Sequence, residues 1–246
     1  MNYYPLSEGT FTIDQTKVFL PFDPNRDQLQ DRPIGSLLVE IQPFAIKTSQ
    51  DLLLLDTGLG FAVDGELQIH RNLRRIGFTP EQVTKVLLTH LHKDHAGGIA
   101  QGNGTDRILS FPNATYYVSE RELGFALEKN TLSYPADEVR ILLGHPQVQF
   151  VSDGDLIDGY IEVSHSGGHC PHHQVFTIRE GGQTIFFGGD EAPQWRQMKN
   201  RFVAKYDFDG KKAQQLRQQW WEQGEKEGWT FLFFHDIQRP DWTFAQ

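Results

Sequence analysis

The sequence predicts a layered α/β fold: two sheets packed face to face with helices outside them. Three observations point there. Short apolar runs with strand character come in two groups, one before residue 120 and one after 145. Segments of helical spacing lie between them. Side chains that bear chemistry cluster just past the ends of the apolar runs, the usual place for sites in layered folds.

The elements follow in order. Leu37–Ile41, Ala45–Lys47 and Asp51–Leu55 read as strands, the last running into Asp56-Thr57-Gly58. Ile69, Leu73 and Ile76 recur at helical spacing over residues 66–76, with Gly77 as the stop. Thr79-Pro80-Glu81-Gln82 is a helix start, with a Thr cap, Pro at the first helical position and Gln at the capping-box position, and this turn leads into the strand before His90. Val86-Leu87-Leu88 is a buried strand. Tyr116–Val118 is another, followed by a helix that Ser119 and Glu122 cap and that runs to about Lys129. A helix near 136–143 precedes strands near 148–151 and 160–164. Gln174–Arg179 and Thr184–Phe187 flank Gly181-Gly182, a hairpin signal. Residues 210–227 form a polar helix with Ala213, Leu216 and Trp220 on one face. Thr230–Phe234 is a last buried strand, ending at His235.

No repeat or linker-like stretch divides the 246 residues, so 1–246 reads as one domain. Hydrophobic residues make up 38% and charged residues 22%, an ordinary globular balance. A net charge of −9 without a Lys/Arg cluster argues against a nucleic-acid partner. Cys170 is the only cysteine, which excludes an internal disulfide and a thiolate zinc cluster. The N-terminus has no signal-peptide pattern, and no window approaches the ~18 apolar residues of a membrane span. The expectation is a cytoplasmic protein without a membrane partner.

The chemistry is concentrated in Thr89-His90-Leu91-His92-Lys93-Asp94-His95-Ala96-Gly97-Gly98. Three imidazoles and a carboxylate on one short loop are nitrogen and oxygen ligands suited to Zn²⁺ and similar ions. Asp56, Gly167-Gly168-His169, Phe186-Phe187-Gly188-Gly189-Asp190 and Phe233-Phe234-His235-Asp236 supply further candidates. Four of these five segments directly follow an apolar strand; His169 is the exception.

The pattern of His-x-His-x-Asp-His, a distant His, a Gly-Asp and a last His resembles the metallo-β-lactamase superfamily, from Leu54-Leu55-Asp56-Thr57-Gly58 to His235. The resemblance implies a four-layer αβ/βα sandwich with two divalent metal ions at one edge. His90, His92 and His169 would hold the first metal, and Asp94, His95 and His235 the second. Asp190 would bridge both, together with a water or hydroxide that attacks an ester-like bond. Zn²⁺ is the first expectation, with Mn²⁺, Co²⁺ or Fe²⁺ as alternatives. Asp94 would share the catalytic role with Asp190 by handling the proton. Asp56 and His173 would orient ligands from behind.

Within the superfamily the chain looks closest to the lactonase and methyl parathion hydrolase-like group. The bridging Asp190 sets it apart from true β-lactamases. The expected substrate is a small lactone, of acyl-homoserine lactone type, or a carboxylic ester. Phosphotriester or phosphodiester hydrolysis is the runner-up, and a mononuclear iron sulfur-metabolising oxygenase is the competing class. Some lactonases place a Tyr close after the bridging Asp; here Glu191-Ala192-Pro193 follows, and Tyr206 is the candidate replacement. His172 replaces a Gly found in many relatives. Trp195 is the tryptophan best placed to meet substrate, whereas His70, His145 and His165 read as surface or loop residues. The N-terminal segment with Phe11, Phe19, Pro21 and Phe22 reads as a flap over the site, a homodimer contact or plain packing.

Overall fold

The computed structural model describes residues 1–102 and 106–244. Its first sheet runs β1 (Asn2–Pro5), β5 (Phe44–Lys47), β6 (Leu52–Leu55), β9 (Lys85–Leu87), β12 (Thr115–Val118) and β13 (Val148–Phe150). The β1–β5 and β5–β6 pairs are antiparallel, and β6, β9, β12 and β13 run parallel. Its second sheet runs β14 (Leu156–Ile157), β15 (Ile161–His165), β16 (Gln174–Glu180), β17 (Gln183–Phe187), β18 (Thr230–Leu232) and β19 (Asp241–Thr243). Only β17 and β18 are parallel there, because α6 (Gly210–Glu227) lies in the crossover between them. A three-stranded sheet, β2 (Gly9–Ile13), β3 (Leu20–Pro21) and β4 (Leu37–Ile41), sits beside them. Two small hairpins pair β7 (Ala62–Val63) with β8 (Glu66–Leu67), and β10 (Ala100–Gln101) with β11 (Ile108–Leu109).

The four layers follow from side-chain alternation. Leu53 and Leu55 of β6 join Val163, Phe176, Ile185, Phe187 and Leu232 in the core between the sheets. Leu52 and Leu54 face the other way, toward Leu73 of α1 (Gln68–Arg75) and Leu123 of α3 (Glu120–Lys129). This is why β6 reads as four leucines without alternation: a strand buried on both faces has no polar side. Each such leucine contributes about 1.5–3 kcal/mol by leaving water. On the outer face of the second sheet, Val175, Phe186, Phe231 and Phe233 meet Trp220, Trp221 and Trp229.

Most expected elements are present, including the hairpin at Gly181 and Gly182, where φ values of +57° and +76° give the double positive turn that paired glycines favour. Thr79 forms the capping box with Gln82, and the single 3₁₀ turn it starts leads into β9 as extended Val83 enters the core. Two expectations are corrected. On α6 the buried face carries Ala213, Arg217 and Gly224, while Leu216 and Trp220 are half-buried. His70 is buried against Phe111, not on the surface. Among the described residues no helix is long and apolar enough to cross a membrane.

Candidate metal centre

The strand ends bring the chemical groups to one edge of the sandwich. Asp56 follows β6 directly. His90 and His92 lie between β9 and α2 (Lys93–Ala96), a single turn that carries Asp94 and His95. His169 comes from the β15–β16 loop, Asp190 from the end of β17, and His235 from just beyond β18. Gln174 joins the two sheets at this edge: its backbone N–H donates to Thr89 and its side chain to the Leu88 carbonyl at 2.9 Å. The glycines after His95 are needed for close backbone approach. A Cβ on Gly98 would clash with the Thr57 carbonyl, and one on Gly97 with Leu59.

His90, His92, His169 and Asp190 form one group, and Asp94, His95 and His235 a second; within each group the possible ligand atoms lie within 4.8 Å of one another. The carboxylate of Asp190 spans both. Its Oδ1 is 3.0 Å from His95 Nε2 and 2.9 Å from His235 Nε2, while its Oδ2 is 3.2 Å from His169 Nε2. Asp94 Oδ2 stands 3.4 Å from His235 Nε2.

Outer hydrogen bonds decide which ring nitrogen points inward. His95 Nδ1 donates to Asp56 at 2.7 Å, His235 Nδ1 to the Glu40 carbonyl at 2.7 Å, and His169 Nδ1 to Asp207 at 3.0 Å. The Thr89 hydroxyl donates to Asp56 at 2.8 Å and so accepts from His90 Nδ1 at 3.0 Å. Each of these four rings therefore turns Nε2 toward the centre, where neutral imidazole has its lone pair. His92 turns Nδ1 inward instead, 2.9 Å from His90 Nε2 and 3.1 Å from His169 Nε2. Lone pairs that converge this closely repel unless a cation lies between them. Buried His95 Nε2 and Asp190 Oδ1 also have no hydrogen-bond partner. The donor set fits two divalent ions of the nitrogen- and oxygen-loving class.

Electrostatics agree with that fit. Burial, reinforced by His95 and His92 beside it, holds the His90 imidazole well below its usual range and keeps it neutral. Burial and neighbouring His169 do the same to His92. Burial opposes a charge on Asp190 too, but His235, His95 and His169 outweigh it and hold the carboxyl well below its ordinary value. His95 moves the opposite way: burial is overcome by Asp190, Asp94 and Asp56, and its pKa rises. A site with this much negative charge draws in a cation.

Residues 41–238 match the family model for the metallo-beta-lactamase superfamily. The chain belongs to that superfamily. An N-acyl homoserine lactonase from Bacillus sp. is 25% identical over 195 residues, 71% of this chain and 69% of that protein. An atrochrysone carboxyl ACP thioesterase from Passalora fulva is 27% identical over 148 residues, 60% of this chain and 36% of that much longer protein. Among solved structures, a probable metal-dependent hydrolase from Staphylococcus aureus superposes with a TM-score of 0.79 at 22% identity, covering 99% of this chain and 92% of that one. The dizinc quorum-quenching lactonase AidC superposes with a TM-score of 0.75 at 20% identity, covering 99% and 90%.

This metallo-beta-lactamase fold is braced by groups behind the ligands. Fully buried Asp56, at φ +54°, accepts from His95, from the Thr89 hydroxyl and from the Thr89 backbone N–H. His173 donates or accepts at Ser166 through Nδ1 at 2.8 Å, and its ring packs 4.8 Å from His90. Sequence reasoning did not place three carboxylates at the site. Asp207 holds His169 from the segment before α6. Glu191 Oε2 accepts from Ser166 and from the Gly168 and His169 backbone N–H groups at 3.0, 3.2 and 2.9 Å. Glu122 accepts from the Leu91 N–H at 3.0 Å and meets the Cys170 thiol at 3.7 Å, so it ties the His90–His92 loop to the His169 loop. Burial pushes the Glu122 and Glu191 carboxyls up. The sequence carries a signal for two of the three: Glu122 stands at the capping-box position of α3, and Asp207 lies in the aspartate-rich stretch Tyr206-Asp207-Phe208-Asp209.

The centre opens on a cavity of about 730 Å³. Its wall includes Ile13, Phe19, Leu37 and Val39, so the N-terminal segment does fold over the site. Tyr206 lines it beside His169, with ring centroids 6.2 Å apart; burial, Asp190 and Asp207 push its phenol up to about 12. Trp195 does not line it: this ring packs at a tilt against Trp242 beneath Arg239. His172 is turned away as well, toward Phe125 and His165. Cys170 is a buried thiol outside both ligand groups.

Proposed function

We propose that this chain is a dinuclear hydrolase, Zn²⁺-dependent, that opens a lactone or cleaves a related carboxylic ester. The observation that carries this reading is the placement of two groups of converging ligands, joined by Asp190, at the head of a largely apolar cavity. In it His90, His92 and His169 hold one ion, Asp94, His95 and His235 hold the other, and Asp190 serves both. Two bound divalent ions supply Lewis acidity there, polarising a carbonyl oxygen and lowering the pKa of water toward neutrality.

The chain's own groups do the rest. The apolar wall takes the acyl part and fixes the scissile carbonyl at the cavity head. The Tyr206 phenol, protonated at neutral pH, stands beside His169 as a hydrogen-bond donor for that carbonyl. Asp94, slightly exposed toward the cavity, is placed to take a proton and return it to the departing alkoxide. The lactonase and hydrolase relatives support the same reaction class.

The test is a panel of an acyl-homoserine lactone, an aryl ester, a phosphotriester and a phosphodiester, with Asp190→Ala as control and metal analysis alongside. Asp190-dependent turnover led by the lactone or aryl ester, with two Zn per chain, is the expected result. Turnover of the phosphorus esters alone, or one Fe per chain without esterase activity, would overturn it.

A further inference from the structure

The cavity holds far more than the ring of a small lactone needs, and its charged lining runs against the rest of the molecule. The chain carries −9, yet outside the ligand set the cavity is lined by three lysines, Lys17, Lys93 and Lys129, and one acid, Asp14. Asp14 is turned to its own loop, accepting from the Thr16 N–H and hydroxyl at 2.8 and 2.5 Å. Lys93 lies in the field of Glu138. Lys17 and Lys129 remain: among the described residues the lysine–carboxylate ion pairs are those of Lys85, at the opposite edge of the sheets.

These two cations frame an apolar route away from the metal ligands. Tyr134 packs on His92 with ring centroids 4.4 Å apart, Phe125 packs edge-on against Tyr134 at 5.5 Å, and the Lys129 ammonium lies 5.1 Å from the Phe125 centroid. The ammonium is therefore at most about 15 Å from the His92 ring. Lys17 enters the same cavity from the turn after β2. Phe19 and Leu37 line the same cavity from the N-terminal segment.

An apolar cavity lined by two ammonium groups that have no carboxylate ion pair among the described residues recognises a molecule apolar near its reacting carbonyl and anionic at its other end. We infer that the substrate is an ester or lactone whose acyl chain carries a distal carboxylate or similar anion, received by Lys17 and Lys129. This rests on the ester-hydrolase reading above and narrows its substrate class. Lys129 is solvent-exposed, so each contact has the modest strength of an exposed ion pair and weakens with salt.

The experiment compares the 4-nitrophenyl esters of octanoic acid and of octanedioic acid (the monoester) at low ionic strength, using metal-loaded full-length protein. The wild type should favour the anionic ester in kcat/KM by roughly fivefold. In Lys17→Met/Lys129→Met that ratio should fall to about one, and in Lys129→Glu it should invert. A wild-type preference for the octanoyl ester, or a preference that survives in the double variant, would overturn the inference. Calorimetric binding of octanedioic acid monoamide against octanamide separates this from the catalytic reading. Monoamide preference lost in the double variant supports the inference even if neither ester is cleaved, a result that would count against hydrolysis. Equal binding of the monoamide by wild type and double variant would sink it.

Discussion

His169 Nδ1 donates to Asp207 Oδ1 at 3.0 Å across 38 residues of sequence. The bond fixes the ring so that Nε2 faces Asp190, and the aspartate has almost no exposure to water. Outer partners of ligand histidines are worth roughly 10–100-fold in metal affinity. Asp207→Ala should weaken binding of one metal equivalent by that factor, with Asp207→Asn between it and wild type. Titration against a chromophoric chelator reads the affinity directly, and an unchanged value in the Ala variant would refute the role.

Glu122 closes a different contact, between two loops that carry ligands. Removing the carboxylate leaves the buried Leu91 N–H without an acceptor. Glu122→Ala should cost about 2 kcal/mol of folding stability, while Glu122→Gln, which still offers an acceptor oxygen, should cost about 1 kcal/mol or less. Urea unfolding of the metal-free protein at constant m-value separates the two variants. Equal losses would show that the hydrogen bond is not what Glu122 supplies.

Gly98 lies where the ligand loop passes the Asp56-Thr57 segment. Its φ is ordinary, so the constraint is space: a Cβ would run into the Thr57 carbonyl. Gly98→Ala should destabilise by about 2 kcal/mol and lower the Tm by roughly 4–8 °C. Gly124→Ala, on α3, meets nothing within 4 Å and serves as the tolerated control in the same thermal scan.

Far from the metal ligands, Asp51 accepts from Lys85 Nζ at 2.6 Å and from the Tyr160 hydroxyl, linking the two sheets. Burial would raise the Asp51 carboxyl, but Lys85, Tyr160 and Thr84 outweigh it and hold it below its ordinary value. Burial would lower Lys85, but Asp158 and Asp51 raise it. The sign follows for each. The carboxylate's contribution is complete above the usual carboxylate range and is lost as pH falls through its lower folded value. The ammonium's contribution is complete below 10.5 and is lost as pH rises beyond that. Asp51→Asn should therefore flatten the acid limb of stability against pH, measured by urea midpoints from pH 5 downward; a limb as steep as wild type would remove Asp51 from the account.

Legibility in the sequence varied with the range of the interaction. Strand and helix positions could be read because their causes are local: four leucines in β6, paired glycines at 181 and 182, and Ser119 ahead of Glu122. The capping box at Thr79 is local and legible, whereas the limit of its helix to one 3₁₀ turn comes from the pull of Val83 into the core. The seven residues His90, His92, Asp94, His95, His169, Asp190 and His235 could be listed from their pattern, and the structure brings them together.

What the sequence determined by itself was therefore periodicity, capping and a set of side chains able to bind metal. Those properties belong to single residues and to neighbours a few positions apart. Tertiary structure decided which nitrogen each imidazole presents, which carboxylates stand behind the ligands, and that lysines meet an apolar wall in the cavity. Asp207, Glu191, Glu122 and Lys129 act on groups that lie far from them along the chain. Their roles exist only once two sheets and an N-terminal flap have been packed together, because hydrogen bonds and ion pairs reach a few ångströms of space and take no account of separation in sequence.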